Sequence, residues 1–294
     1  MTFNTIVKKL WDNPPRYIFE ETRRLLLGRS GEPKEFERYI WCLSTGRVGS
    51  QTLASLGRLL EEVDGQHEPK PLLYGLSAEA YKREQDTSCS RVLKEALLAC
   101  RDFSTESPYS TYLESSPQVT FLAKLLKSSF TSSRFIHVVR HPGSVVRSGM
   151  RRKWYGGHEN DHWRIKPISG EAYREWNKWS MFEKNVWLWA ETNRWIESFM
   201  VSLPENEGIV LKSEDVFSGS IPELSRFYKM LGIGQPQSRL VESVLGKKLN
   251  HQQRGEFPEV GEWDSEQCDI LYKHAGELMQ RYGYTISGHS DLPI

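Results

Sequence analysis

The chain is poor in cysteine, in long apolar runs and in net charge, and each shortage excludes a class of protein. Its four cysteines are scattered without a C-x-x-C pair, which argues against a disulfide framework or a cysteine metal site. No apolar run approaches the roughly 20 residues that a membrane-spanning helix needs. The 39 basic residues nearly balance the 38 acidic ones, so no overall field favours nucleic acid. These shortages predict a cytoplasmic protein without a membrane span or a nucleic-acid partner.

Other absences concern organisation along the chain. The first residues, MTFNTIVKKLWDNPP, lack the apolar core of a signal peptide, and we find no internal repeat or low-complexity tract. No group of His, Cys, Asp and Glu has metal-ligand spacing, so no metal is expected. A length of 294 residues with 38% hydrophobic content suits one domain. We predict a helical arm over 1–37 and one domain over 38–294, with a tryptophan-rich insertion around 153–180.

What is present begins with a glycine-containing loop between an apolar strand and a helix. Residues 39–43 are apolar, Gly46 and Gly49 lie in a turn of small residues, and a leucine-rich helical pattern follows. Backbone N–H groups and the helix dipole make such a turn a cradle for phosphate. An ordinary nucleotide hydrolase would carry lysine before the hydroxyl residue, whereas here Arg47 precedes Gly49. The loop therefore predicts binding of a phosphate-like group by a different class of enzyme.

A second segment places another anion site at the end of a strand. Residues 135–139 are apolar and suit a buried parallel strand, and Arg140 follows at its carboxyl end, where α/β sheets bind ligands. Pro142 suits the start of a helix, and Ser148 lies about two helical turns after Arg140. Strand end and helix can therefore hold one anion together.

Between these two segments we predict a polar loop over 64–71 and helices over 78–102 and 117–130. Strands that alternate with helices predict a parallel sheet.

In these two segments the chain resembles the sulfotransferases that use 3′-phosphoadenosine 5′-phosphosulfate (PAPS). Their first loop, Arg/Lys-x-Gly-Ser/Thr, holds the 5′-phosphosulfate, and a later Arg, followed by Pro after two residues and Ser after eight, holds the 3′-phosphate. Residues 209–216 resemble the late family strand that ends in Glu-Asp, and Tyr282-Gly283-Tyr284 resembles a closing motif. The resemblance covers roughly residues 38–285. It implies an α/β fold, a three-layer α/β/α arrangement with a central parallel sheet of the P-loop-containing nucleotide-binding type.

The resemblance also implies the residues that bind the donor. PAPS would be a co-substrate held without a metal, with Arg47 stabilising the charge on the leaving phosphate as a catalytic residue. Arg254 lies where the family closes a basic loop over the nucleotide, although a clear Arg-Lys-Gly is missing here. The predicted donor-binding residues are Arg47, Val48, Gly49, Ser50, Gln51, Thr52, Arg140, Ser148 and Arg254.

The acceptor hydroxyl needs a general base, and the sequence leaves three candidates. His67 and Glu68 stand side by side in Gln-His-Glu-Pro, and Glu114 follows the next strand candidate. Carbohydrate-type members of the family use a glutamate at a point like Glu68. We therefore predict Glu68 as the base, with Glu114 and His67 as alternatives.

Seven of the ten tryptophans fall between residues 153 and 199. We predict a mobile loop over 156–162 and a helix over 181–200. Trp and Tyr rings beside polar groups suit stacking on sugars. We therefore predict that His67, Trp154, Tyr155 and His158 bind the acceptor, a glycan, a glycolipid or a small molecule. We assign Trp187, Trp189 and Trp195 to the helix core.

Two other functions compete with sulfuryl transfer. A P-loop kinase of small metabolites would need a lysine in the loop and a strand-end carboxylate for Mg²⁺, and neither is evident. A non-catalytic nucleotide-binding relative would be expected to lose Arg47, Arg140 or Ser148, and all three are present. The oligomeric state is not indicated by the sequence.

Overall fold

The computed structural model describes residues 36–84, 86–101, 108–246 and 256–285. Within them lies a sheet of five strands in the order β2-β3-β1-β4-β5, and each neighbouring pair is parallel. The strands are β1 (Arg38–Leu43), β2 (Val63–Gln66), β3 (Thr111–Ser115), β4 (Ser133–Val139) and β5 (Gly208–Lys212). The predicted parallel sheet is therefore confirmed. The predicted arm over 1–37 lies outside the described residues, apart from its last two positions.

Helices cover both faces of this sheet. Those described are α1 (Ser50–Gly57), α2 (Tyr74–Lys82), α3 (Thr87–Cys100), α4 (Ala123–Ser129), α5 (Pro142–Arg151), α6 (Gly170–Glu175), α7 (Met181–Val201), α8 (Ser213–Phe217), α9 (Ile221–Leu231), α10 (Ser238–Leu245) and α11 (Ser265–Tyr282). Short 3₁₀ turns stand at Pro117–Leu122, Asp161–Trp163 and Val260–Glu262.

The alternation of β1 side chains shows why three layers form. Ile40 and Cys42 pack with apolar residues of α1, α9 and α10 on one face. Tyr39, Trp41 and Leu43 pack with residues of α2, α3, α4 and α7 on the other. Successive strand side chains point to opposite faces, and a central parallel strand is buried on both, so β1 is apolar throughout. The predicted three-layer α/β/α fold class is confirmed.

The route of the chain after β1 and β4 creates the site. From β1 it continues into α1 on the face of Ile40, and from β4 it continues into α5, which packs with Val139 and α7 on the opposite face. Strands β1 and β4 are direct neighbours. Where adjacent parallel strands send their connections to opposite faces, a crevice opens at their carboxyl ends. The loops that carry Arg47 and Arg140 border this crevice.

Several predicted element boundaries are wrong. The single helix predicted over 78–102 is divided into α2 and α3, and residues 63–66, mostly assigned to a polar loop, form β2. Strand β2 forms because Gly65 pairs in parallel with Leu113 on β3, a long-range contact that the polar composition hides. The helix predicted over 117–130 begins as a 3₁₀ turn, with the Ser116 side chain accepting from the N–H of Gln118.

Candidate active site

A cavity of about 520 Å³ opens at the carboxyl ends of β1 and β4. The phosphate loop, defined here as residues 44–49, forms one wall together with the start of α1. The segment after β2 forms a second wall, and the end of α5 with the turn that follows it forms a third. The charged and imidazole side chains among the lining residues are Arg47, His67, Glu68, Arg140, Arg152, His158 and Arg164.

The phosphate loop has backbone N–H groups just before and at the start of α1 that lack acceptors in the part of the chain that the structure describes. Gly46, Arg47 and Gly49 have φ values of 81°, 60° and 81°, a left-handed conformation that reverses the chain direction. The carbonyl of Arg47 accepts from Arg140 Nη1 at 2.7 Å, and the carbonyl of Val48 accepts from Ser213 Oγ at 2.9 Å. Among the described residues the N–H groups of Val48, Gly49 and Ser50 have no hydrogen-bond acceptor. Such a set of unpaired donors at a helix N-terminus suits an anion.

Three guanidinium groups converge beside this loop. Arg47 Nε donates to Ser148 Oγ at 2.9 Å, which joins the loop to α5. Burial, with the positive charges of Arg152 and Arg140, lowers the pKa of Arg47 to about 10, and Glu68 opposes the shift. Arg47 therefore stays protonated at neutral pH in a region with an excess of positive charge. A bound polyanion would offset this repulsion.

The structure brings most of the predicted donor-binding residues together. Arg47, Gly49, Ser50, Gln51, Thr52 and Arg140 all line the cavity. The side chain of Val48 is instead fully buried in the core beneath the loop, so this residue can offer only its backbone N–H. Ser148 meets the site through its bond to Arg47. Arg254 lies outside the described residues.

Two of the three base candidates lie at the cavity. Glu68 is the one carboxylate among the described residues that line the cavity, and its φ of 47° is a left-handed conformation rare for glutamate. His67 stands beside it, and its Nδ1 donates to the carbonyl of Ser115 at 2.9 Å. Since a carbonyl can only accept, a neutral His67 carries its proton on Nδ1, and Nε2 keeps the lone pair. Both residues are therefore placed to accept a proton.

Glu114 is not available as a base. Its side chain is fully buried, and its two oxygens accept from Arg101 Nη2 at 2.8 Å and Nε at 2.7 Å. The hydroxyl of Tyr112 donates to the same carboxylate at 2.9 Å. Glu114 is therefore wrong as an alternative base, because its carboxylate is held in a buried ion pair with Arg101.

The turn after α5 forms a wall of the cavity with Trp154, His158 and Arg164, which is called the acceptor wall after the role predicted for Trp154 and His158. The Arg164 guanidinium lies 4.1 Å from the centre of the Trp154 ring. Asp161 holds the turn by accepting from the N–H groups of Tyr155, Gly157 and His158 and from Arg164 Nε, at 2.9–3.0 Å. The stretch predicted as a mobile loop is thus an internally bonded turn.

His158 has a defined tautomer within this wall. Its Nδ1 accepts from the N–H of Asn160 at 3.1 Å, so the neutral ring carries its proton on Nε2. Burial, followed by the charge of Arg164, lowers the pKa of His158. The imidazole is therefore neutral near pH 7 and offers a donor, whereas His67 offers an acceptor.

The aromatic residues divide between the wall and the core. Trp154 lines the cavity, but Tyr155 does not, because it is turned inward and its hydroxyl donates to the carbonyl of Ile165 at 2.7 Å. Trp187, Trp189 and Trp195 are buried, as predicted for residues on one helix.

Sequence analysis missed Arg152, Arg164, Tyr74 and Gln118 among the lining residues. Arg152 could have been found, since it lies four residues after Ser148 and positions i and i+4 share a helix face. The other three reach the cavity only through the packing of distant segments. Among the described residues, no three His, Cys, Asp or Glu side chains are grouped to hold a metal ion. The described helices include none with the length and apolar character needed to cross a membrane.

Comparison with solved structures finds similar proteins that are titled sulfotransferases. The sulfotransferase domain from the curacin biosynthetic pathway is 15% identical with a TM-score of 0.46, and the match covers 87% of this chain and 100% of that one. Sulfotransferase STF9 from Mycobacterium avium is 11% identical with a TM-score of 0.49, covering 93% and 82%. A sulfotransferase from Alicyclobacillus acidocaldarius is 11% identical with a TM-score of 0.46, covering 88% and 98%.

These neighbours carry the class name that the two phosphate motifs indicate. Models of known protein families and the curated proteins gave no match. The proposed function therefore rests on the residues that line this chain's own cavity.

Proposed function

We propose that the protein is a sulfotransferase that moves the sulfuryl group of PAPS to an acceptor hydroxyl. The observation that carries this proposal is the junction of two phosphate segments. Arg140 and Ser148 both bond Arg47, so the two segments meet at one place. In the proposal Arg47 and the unpaired amides after it bind one phosphate, and Arg140 with Ser148 binds the other. A nucleotide with phosphates on both its 3′ and 5′ positions would satisfy both sites, whereas ATP offers no 3′-phosphate to the second.

The proposed reaction needs little covalent chemistry from the protein. A bond forms between the acceptor oxygen and sulfur while the bond from sulfur to the 5′-phosphate oxygen breaks. Charge grows on that leaving oxygen, where Arg47 and the amides of α1 can stabilise it. The acceptor proton passes to Glu68, which lies in the same cavity. Positioning and fixed positive charge do the remaining work, so we propose that no metal is required.

We propose a carbohydrate hydroxyl as the acceptor. The acceptor wall offers the Nε2–H donor of His158 and the Arg164 guanidinium, which stacks on the buried Trp154 ring, and such donors suit the hydroxyl groups of a sugar. Such a hydroxyl is weakly acidic, so a general base is needed. Glu68 is proposed for this role because it is the one carboxylate among the described residues that line the cavity.

The base assignment is tested by Glu68→Gln, which keeps size and hydrogen bonding but removes the proton acceptor. We expect kcat to fall by about 10²–10⁴-fold with nearly unchanged affinity for 3′,5′-adenosine bisphosphate. The measurement is sulfate transfer from labelled PAPS to a panel of sugars, alongside calorimetric titration of the nucleotide. His67→Asn is the neighbouring control and should be milder. An active Glu68→Gln with an inactive His67→Asn would assign the base to His67 instead.

The donor is tested independently of the acceptor. The temperature of thermal unfolding should rise when 3′,5′-adenosine bisphosphate is added, and it should not rise with ATP plus Mg²⁺. A ligand at 100 times its dissociation constant adds about 2.7 kcal/mol to the free energy of unfolding. Stabilisation by ATP and Mg²⁺ alone, abolished by a chelator, would favour a small-metabolite kinase.

A further inference from the structure

Arg152 is a cation at the cavity that neither phosphate motif assigns to the donor. It caps the carboxyl end of α5 and lines the cavity four residues beyond Ser148. A cation is favourable at a helix carboxyl end, which by itself would explain an exposed arginine there. The Nε atom of Arg152, however, is buried and has no hydrogen-bond partner within the described part of the chain. No carboxylate of that part forms an ion pair with it.

The charges around Arg152 increase this imbalance. Among the lining residues four arginines face a single carboxylate, Glu68. Arg164 is neutralised by Asp161 at 2.9 Å, and Arg47 and Arg140 are assigned above to the two phosphates of the donor. Neither phosphate is assigned to Arg152, so its buried Nε still lacks an assigned hydrogen-bond acceptor after the nucleotide is bound. Burying a polar group without a partner is costly, so the remaining partner is expected to come from another ligand.

The position of Arg152 points to the acceptor side. It is close enough to Arg47 to lower that residue's pKa, and close enough to His158 to lower the pKa of the imidazole. Arg152 follows Ser148, which bonds Arg47 of the phosphate loop, and precedes Trp154 of the acceptor wall, and Arg47, Arg152 and Trp154 all line the cavity. Arg152 therefore lies between the phosphate loop and the acceptor wall. A group bound there would be adjacent to the transfer point and within the influence of both neighbours.

We infer that Arg152 binds an anionic group of the acceptor, so that the enzyme prefers acceptors in which a carboxylate, phosphate or sulfate lies near the reacting hydroxyl. This inference rests on the proposed function. His158 Nε2–H would add a neutral donor to the same group. A planar guanidinium can hold two oxygens of such an anion at once.

The test uses enzyme saturated with PAPS, which fills both phosphate sites and the sulfuryl position. Inorganic phosphate is then titrated at constant ionic strength, and the unfolding temperature is measured before donor hydrolysis becomes appreciable. We expect a saturable further stabilisation in the wild type. Arg152→Gln should weaken this phosphate binding about tenfold or more, the usual size of a lost charge-assisted hydrogen bond. Its affinity for 3′,5′-adenosine bisphosphate should fall by much less than tenfold, because only the charge of Arg152, and no direct contact, acts on the donor site.

The control is Arg239→Gln, which removes an exposed arginine on α10 and should behave as wild type. Arg152→Lys should retain part of the phosphate binding because it keeps the charge. A tenfold loss of nucleotide affinity in Arg152→Gln would assign Arg152 to the donor and overturn the inference. So would the absence of saturable phosphate binding in PAPS-saturated wild type. Failure of PAPS itself to stabilise the wild type would instead contradict the proposed function.

Discussion

Arg47 joins the two phosphate segments through both its backbone carbonyl and its guanidinium group. Its left-handed φ of 60° directs its carbonyl to Arg140, while its side chain reaches Ser148 on α5. Non-glycine residues hold this conformation at a cost, and persist in it where the surrounding structure compensates. Here Arg47 makes two hydrogen bonds with the other phosphate segment, and these bonds offset the cost of the left-handed conformation. The loop and the strand-end arginine therefore form one unit.

The variant Arg140→Ala tests whether Arg140 binds the 3′-phosphate of the nucleotide. Loss of a charge-assisted contact should weaken binding of 3′,5′-adenosine bisphosphate by about 10–100-fold. Adenosine 5′-phosphosulfate, which lacks the 3′-phosphate, should bind variant and wild type nearly equally in calorimetric titration. An equal loss for both nucleotides would mean that Arg140 acts through the carbonyl of Arg47 alone.

At the scale of elements, the short helix α8 holds the phosphate segments in place. Ser213 donates to the carbonyl of Val48, and Phe217 packs against Gly49 on the phosphate loop. Glu214 accepts from the N–H of His141, just after Arg140, and from the hydroxyl of Tyr284 at 2.9 Å each. The motifs at 209–216 and 282–284 thus contact the loops of both phosphate motifs.

Gly49→Ala should disturb this packing. A Cβ at Gly49 would lie 2.1 Å from Phe217 Cζ, and φ at this position is 81°. The left-handed conformation alone costs about 1–2 kcal/mol for a residue with a side chain. We therefore expect reduced stability in urea unfolding and weaker nucleotide binding.

A double-mutant cycle with Phe217→Ala separates the two causes. Removal of the ring relieves the clash but not the φ strain, so the double variant should be more stable than the sum of the single effects predicts, with a coupling of about 0.5–3 kcal/mol. Strict additivity would show that Phe217 does not press on the loop.

At the scale of the whole molecule, packing of the helices on the sheet buries a histidine and so changes its pKa. His137 on β4 is fully buried, and its Nε2 lies 2.8 Å from Asn193 Oδ1 on α7. Its ring also packs edge-on against Tyr282 of α11. Burial lowers the pKa of His137 to about 4, with the Asn193 hydrogen bond opposing the shift.

This depressed pKa makes stability depend on pH. The unfolded chain protonates His137 near pH 6.5, whereas the folded state resists until about pH 4. Between these values the unfolded state binds more protons, so the free energy of unfolding decreases as the pH falls. His137 should contribute a loss on the order of 3 kcal/mol across this window. Urea unfolding from pH 7 to pH 4 should show a shallower decline in His137→Gln than in wild type.

The control for this measurement is His162→Gln, because His162 is exposed and should leave the pH profile unchanged. A His137→Gln profile parallel to that of the wild type would show that the buried imidazole does not govern the acid sensitivity.

The sequence by itself determined the fold class and the two phosphate segments, because both depend on short-range patterns. An apolar strand, a glycine turn and a helix at fixed spacing can adopt few arrangements, and Arg47 and Arg140 each follow an apolar strand at the sheet edge where parallel strands bring their loops together. Only the tertiary structure decided that Glu114 is paired with Arg101 and that Tyr155 is turned inward. It also decided that Arg152 lines the cavity with its Nε atom lacking a hydrogen-bond partner among the described residues. These outcomes depend on which distant side chains share a buried space, and local sequence does not contain that information.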